Sequence, residues 1–221
     1  TVNGSVVIAD NLKTSGSIWG GVNVDPKGKS ASFTMNSGDL SAETTSVYIN
    51  NDSANGTAAI DLNGGEYAAV GVATSDDNVK NVISIDGCKV DTVSVADADG
   101  DSSIVVSNST VTTSVDNSAV VINSTVGNEY IESTAPDGVV AVIGTKQYKD
   151  LEDALEDAGT ELVTIELVAN ADMDVTDSEY ITVTRNTVIN GNGHIINITV
   201  ADGSTLDTRD KMFMLNGAHL T

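Results

Sequence analysis

The chain has 221 residues; 40% are hydrophobic but only 4% aromatic, with 20 Gly, two Pro and one Cys. Ten Lys and Arg against 32 Asp and Glu give a formal charge of −22, a field that repels nucleic-acid phosphates and anionic membranes and so excludes both as partners. No apolar run reaches the roughly 18 residues that a membrane-spanning helix needs.

The apolar residues are mostly Val, Ile, Ala and Leu, which suit flat stacked strands better than a helical globule. Abundant Gly, Asn, Asp, Ser and Thr with almost no Pro imply many tight turns made without proline. The acidic surplus favours solubility, cation binding or a salty environment, and its plainest reading is a solvated surface. Cys88 has no partner for an intrachain disulfide and no zinc-type spacing around it, so it reads as a small core residue. Thr1 is not an initiator and no leader is legible, so the sequence reads as a mature form or a piece of a longer one.

One short pattern recurs along the chain: apolar residues at i and i+2, a turn of Asn, Asp, Gly or Ser, then another apolar residue. It runs Phe33-Thr-Met35-Asn-Ser-Gly-Asp-Leu40, Ile60-Asp-Leu62-Asn-Gly-Gly-Glu-Tyr67 and Ile83-Ser-Ile85-Asp-Gly-Cys-Lys-Val90. Val105-Val-Ser-Asn-Ser-Thr-Val111 and a closer copy, Val120-Val-Ile-Asn-Ser-Thr-Val126, continue it. Such irregular repeats are the signature of stacked units, none of which can bury its apolar side alone. Alternation with period two places Phe33/Met35, Ile60/Leu62 and Ile83/Ile85 on one inward face. The Asn-Gly and Asp-Gly steps supply positive-φ turns. An all-β, right-handed parallel β-helix is the expected fold. The rival is a sandwich of hairpins that uses the same Asn-Gly steps as two-residue turns.

The segment Gln147-Tyr-Lys-Asp-Leu-Glu-Asp-Ala-Leu-Glu-Asp-Ala-Gly159 breaks the pattern. Leu151, Ala154, Leu155 and Ala158 fall at helical spacing. Asp150 stands as N-cap, Glu152 and Asp153 face the positive dipole end, and Gly159 is a natural stop. So short a helix is marginal alone, and the open end of a strand stack, which needs a lid, is the place for it. Strands follow at Leu162–Val168 and Tyr180–Thr184, then the turn motifs Val188-Ile-Asn-Gly-Asn-Gly-His-Ile195 and Phe213-Met-Leu-Asn-Gly-Ala-His-Leu220. The expected organisation is a β-helix body over 1–140, then a capping helix and the first coils of a second segment over 141–221. The change falls near Pro136-Asp-Gly138.

Val139-Val-Ala-Val-Ile-Gly-Thr-Lys-Gln-Tyr148, with Leu151-Glu-Asp-Ala-Leu155 and Thr164-Ile-Glu-Leu167, resembles the capped start of pectate-lyase-like β-helix domains. Those domains occur in tandem in adhesin-like surface proteins of anaerobic bacteria and archaea. The resemblance covers about 137–221, and 1–136 only in repeat style. It implies a surface protein without catalysis, a minority of the family being lyases or hydrolases of acidic polysaccharides.

Candidate sites are sparse. Asp97, Asp99 and Asp101, with Asp91 nearby, alternate around a Gly turn and offer oxygen ligands for Ca²⁺. Asn108 stands where an EF-hand would carry its bidentate Glu, and a solvated acidic turn is the better explanation of the run. Asp76 and Asp77, and Asp172 with Asp174 and Asp177, are weaker versions of the same arrangement. Six glycosylation sequons begin at Asn3, Asn51, Asn55, Asn108, Asn123 and Asn197, in a chain whose turn chemistry already favours such residues. A polysaccharide lyase needs a basic residue beside carboxylate-held Ca²⁺. The only arginines are Arg185 and Arg209, and His194 and His219 occupy equivalent repeat positions, where they read as stacked repeat residues.

The expectation is therefore a noncatalytic extracellular protein: a stalk, an adhesin segment, or a filament subunit that joins itself head to tail or adjoins further domains. A Ca²⁺-dependent carbohydrate-active enzyme and a glycan-binding module are the alternatives. Trp19 is the only Trp, which leaves a binding platform for glycans thinly furnished.

Overall fold

The computed structural model describes residues 5–8, 12–13, 21–41, 46–50, 55–74, 79–96, 102–158, 162–175, 181–183, 186–200 and 213–215. It is a parallel β-solenoid of about six turns with one helix. Contacts divide the chain into two compact units, Thr1–Pro136 and Asp137–Thr221.

In the first unit the strands are β1 (Ser5–Ile8), β2 (Leu12–Lys13), β3 (Val22–Val24), β4 (Ser30–Met35), β5 (Gly38–Leu40), β6 (Val47–Asn50) and β7 (Gly56–Leu62). They continue as β8 (Gly65–Thr74), β9 (Val79–Asp86), β10 (Cys88–Val95), β11 (Ser102–Ser107), β12 (Thr110–Val115), β13 (Ala119–Val126) and β14 (Glu129–Thr134). Strands β1, β4, β7, β9, β11 and β13 lie side by side, all parallel, and form one wall. A second wall joins β2, β5 and the leading parts of β8, β10 and β12 to the end of β13. A third joins β3, β6 and the trailing parts of β8, β10 and β12. Parallel pairing from winding to winding rules out the hairpin sandwich.

The register explains the core. Phe33, Ile60, Ile83, Ile104 and Ala119 are successive partners, as are Met35, Leu62, Ile85, Val106 and Val121. On the second wall the row is Leu40, Tyr67, Val90, Val111 and Val126, and on the third Val47, Val70, Val93 and Val115. These rows form one continuous cluster. Each fully buried Ile or Leu contributes about 1.5–3 kcal/mol of transfer free energy, and alternation lets every strand supply two or three of them. The windings contract along the chain: equivalent positions are 27, then 23, then 21, and finally 15 residues apart. Gly71 is obligatory because a Cβ there would stand 1.8 Å from the carbonyl oxygen of Ser94 on the next winding.

In the second unit the strands are β15 (Ala141–Ile143), β16 (Lys146–Tyr148), β17 (Val163–Leu167), β18 (Ala171–Val175), β19 (Ile181–Val183), β20 (Thr187–Asn190), β21 (Ile196–Val200) and β22 (Phe213–Leu215). It opens on an antiparallel hairpin, β15–β16, and β15 then pairs antiparallel with β17. After that, stacking is parallel: β17 on β20, β18 on β21 and β19 on β22. The helix α1 (Leu151–Asp157) forms where its caps predict. Asp150 Oδ1 accepts the backbone N–H of Asp153 at 2.8 Å, and Ala158 is the C-cap residue. Gly159 lies outside the described residues. Leu151, Ala154 and Leu155 bury against Ala141, Tyr148, Ile165, Leu167 and Met173, so the marginal helix is held by its apolar face on the interior of the first winding.

Candidate functional site

The polar chemistry of the first unit is turned inward. At the corner between the first two walls, Cys88, Ser109 and Ser124 occupy equivalent places on successive windings. Cys88 Sγ accepts the N–H of Gly64 at 3.3 Å, Ser109 Oγ accepts the N–H of Cys88 at 3.0 Å, and Ser124 Oγ accepts the N–H of Ser109 at 3.1 Å. Each side chain also donates to the carbonyl two residues before it: Cys88 to Asp86, Ser109 to Ser107, Ser124 to Ile122. The thiol is thus a stand-in for a serine in a ladder that joins four windings. Burial raises Cys88 to about 11, so at neutral pH it is a protonated thiol and a poor nucleophile. The neighbouring Tyr67, buried and donating to the carbonyl of Gly64 at 2.9 Å, is likewise raised by burial. At the corner between the second and third walls Ser46 Oγ donates to Leu40 O at 2.8 Å and accepts the N–H of Ala68 at 2.6 Å.

Outside, shorter ladders link the windings. Asn63 Nδ2 donates to Asn36 Oδ1 at 3.2 Å, and Asn108 Nδ2 donates to Asp86 Oδ1 at 2.7 Å. Lys89 pairs with Glu66 at 3.1 Å, both exposed, and Thr112 donates to Asp91. In the second unit Asn197 donates to Asp172 at 2.9 Å and Thr199 donates to Asp174.

The sequence-derived candidates fare differently. Asp97, Asp99 and Asp101 lie outside the described residues, as do Asp76, Asp77, Asp177, Arg185, Arg209, His219, Trp19, Asn3 and Asn51. Asp91 is exposed on β10, and Asp172 and Asp174 are exposed on β18, where each engages an Asn or Thr of the next winding. Among the described residues no group of three His, Cys, Asp or Glu side chains is placed to hold a metal. His194 sits in a turn, its N–H donating to Gly191 O at 2.7 Å. Asn55, Asn108 and Asn197 are exposed. Asn123 is half-buried and its Oδ1 accepts the Tyr130 hydroxyl at 3.2 Å.

One concavity that sequence reasoning did not single out lies at the junction of β16 and α1. A cleft of about 620 Å³ is lined by Lys146, Gln147, Tyr148, Asp150, Asp153 and Asp157, among others. The Tyr148 hydroxyl donates to Asp157 Oδ2 at 2.8 Å, Lys146 pairs with the same oxygen, and the Lys146 ammonium stands 5.1 Å from the Tyr148 ring centre. These contacts hold Asp157 below the ordinary carboxylate range, the Lys146 hydrogen bond first and the Tyr148 hydroxyl second. Burial, and then the bond to Asp157, raise Tyr148. An acidic residue at a helix C-terminus opposes the dipole, and Lys146 offsets it here. The arrangement ties hairpin to helix.

Compared with protein-family models, with curated proteins and with solved structures, the chain matches none.

Proposed function

We propose that the chain is a noncatalytic extracellular protein, a surface stalk, adhesin segment or filament subunit of the adhesin-like kind that residues 137–221 resemble. The observation that carries this reading is where its reactive side chains stand. Cys88 and Tyr67, the groups of the first unit most displaced from ordinary behaviour among the described residues, are inside the stack: Cys88 accepts the Gly64 N–H of the preceding winding, and Tyr67 donates to the Gly64 carbonyl within its own. Perturbed groups in an enzyme gather in a cleft that a substrate can enter; Cys88 is instead a rung between windings, and Tyr148 and Asp157, which do line a cleft, are bonded to each other and to Lys146. Outward positions carry Ser, Thr, Asn and acidic residues suited to hydration, and the charge of −22 keeps such a surface soluble. Glycans on the exposed sequons Asn55, Asn108 and Asn197 and Ca²⁺ on Asp97, Asp99 and Asp101 belong to the same reading as surface accessories.

Electron microscopy of the purified chain, with a panel of acidic polysaccharides incubated with and without Ca²⁺, tests it. Rods or fibres with no polysaccharide cleavage are expected. Ca²⁺-dependent cleavage would overturn the reading in favour of a carbohydrate-active enzyme.

A further inference from the structure

The end of the first unit is built unlike the rest of it. Among its described strands every pair is parallel except the last, β13 with β14, which runs antiparallel from Val126 opposite Glu129 to Val121 opposite Thr134. One edge of β13 is taken by β11 and β12; β14 therefore occupies the other edge, where the next parallel winding would have to pair. The preceding winding has already shrunk to 15 residues, its third side reduced to the end of β12 and the turn in which Asp116 accepts the N–H of Ser118 at 2.9 Å. The fold-back is made by Gly127, at φ 62, and Asn128, a two-residue loop of the kind that closes hairpins.

Strand β14 contributes little to the core. Glu129, Tyr130, Glu132 and Thr134 are exposed, and only Ile131 packs on the apolar cluster. Among the described residues it pairs with β13 alone. The strand carries two exposed Glu, and Pro136 stands two residues past its end. Charge and proline both discourage a further strand.

We propose that β14 is a built-in terminator: by holding the last edge of the stack in the antiparallel sense, it prevents a strand from a second copy of this chain from pairing with β13. Self-association through this end is blocked in the resting molecule and becomes available when β14 is displaced. Of the residues of β14 only Ile131 joins the apolar cluster, so the coils beneath keep their core without it.

The test deletes Gly127 and Asn128 from the full chain, so that β14 can no longer fold back although every strand residue is kept. Sedimentation velocity, far-UV circular dichroism and hydrogen exchange of the Val121–Val126 amides are then compared with the unaltered protein. The expected result is a folded chain whose sedimenting mass rises about twofold or more with concentration, as in exchange of a strand between copies. Its β13 amides should be protected only in the associated form. Excess of a peptide spanning 127–135 should return it to the monomer. A folded deletion variant that stays monomeric overturns the proposal, and so does one in which the first unit no longer folds. Neither result touches the proposed surface role.

Discussion

The two units apply one stacking rule to different boundary conditions. In Thr1–Pro136 the windings contract, buried Cys88, Ser109 and Ser124 bond turn to turn, and an antiparallel strand closes the last edge. In Asp137–Thr221 an antiparallel hairpin and a helix come first, the windings hold a repeat of about 25 residues, and the polar bonds between them lie outside, from Asn192, Asn170 and Asn197. Both use antiparallel pairing where parallel stacking gives out. A parallel strand needs a full winding behind it, whereas an antiparallel one needs only a two-residue loop. Solenoid ends are thus the places where the rule changes and where edges must be managed.

The largest effect should come from the core. Ile85, paired with Leu62 on one side and Val106 on the other, is enclosed in its row; Ile165, paired with Ile189, lies in the opening winding of its unit. Both are fully buried, and truncation to Ala should cost about 2–5 kcal/mol, with Ile85→Ala at the upper end because its site is less able to collapse. Denaturant midpoints measure this; a larger loss at Ile165 would reverse the contrast drawn between enclosed and opening windings.

Next comes the inward ladder, which the second unit lacks at the equivalent corner among its described residues. Cys88→Ala leaves the half-buried Gly64 N–H without its acceptor and should cost about 1 kcal/mol or more, while Cys88→Ser should stay within about 1 kcal/mol of the parent. Thiol titration gives an independent readout. Cys88 in the native protein should react far more slowly than an exposed thiol at pH 7 and reach ordinary rates only on unfolding. Equal stability of the Ala and Ser variants would mean that the ladder is decorative. The cap of the helix is smaller again: Asp150→Ala should cost about 1 kcal/mol, seen as faster hydrogen exchange of the Asp153 amide.

The smallest effect separates the units by salt. Asp116 in the first is held below the ordinary carboxylate range chiefly by the Ser118 N–H and then its hydroxyl, against some desolvation; Asp157 in the second is lowered by Lys146 and Tyr148. A depressed folded pKa means that the stabilisation is fully present above the unfolded value of about 3.9 and disappears as pH falls through the folded one. Both contributions should therefore be lost on acidification below about pH 4. Salt should weaken only that of Asp157, whose partner is an exposed charge. Melting curves of Asp116→Asn and Asp157→Asn against pH and ionic strength resolve the two.

Much of this was legible before any coordinates. The i, i+2 pairs Phe33/Met35, Ile60/Leu62 and Ile83/Ile85 name the inward rows because pleating is local and strictly alternating. Asp150, Leu151, Ala154 and Leu155 name the helix because capping and periodicity are local too. The antiparallel return of β14 is hidden for a specific reason. Val120–Val126 reads as one more repeat, although the Gly127-Asn128 step followed by Glu-Tyr-Ile is a hairpin signal; whether a strand stacks onward or folds back depends on what its edge meets. The equivalence of Cys88 with Ser109 and Ser124 was hidden for a similar reason, since contracting windings destroy a fixed repeat length. In β13 the run Ala119–Ile122 is buried on both faces, a pattern that alternation does not announce.

In-register parallel stacking is tested most directly by a disulfide. Thr34 and Asp61 are register partners on adjacent windings, and Ser84 is the partner of Asp61 one winding further. In a Cys88→Ser background, Thr34→Cys with Asp61→Cys brings two Cα atoms to about 4.8 Å, within reach of a disulfide, while Thr34→Cys with Ser84→Cys leaves them about 10 Å apart. Mild oxidation of the monomer should close the first pair and leave the second as free thiols. Closure of the second pair, or failure of the first, would contradict the stack.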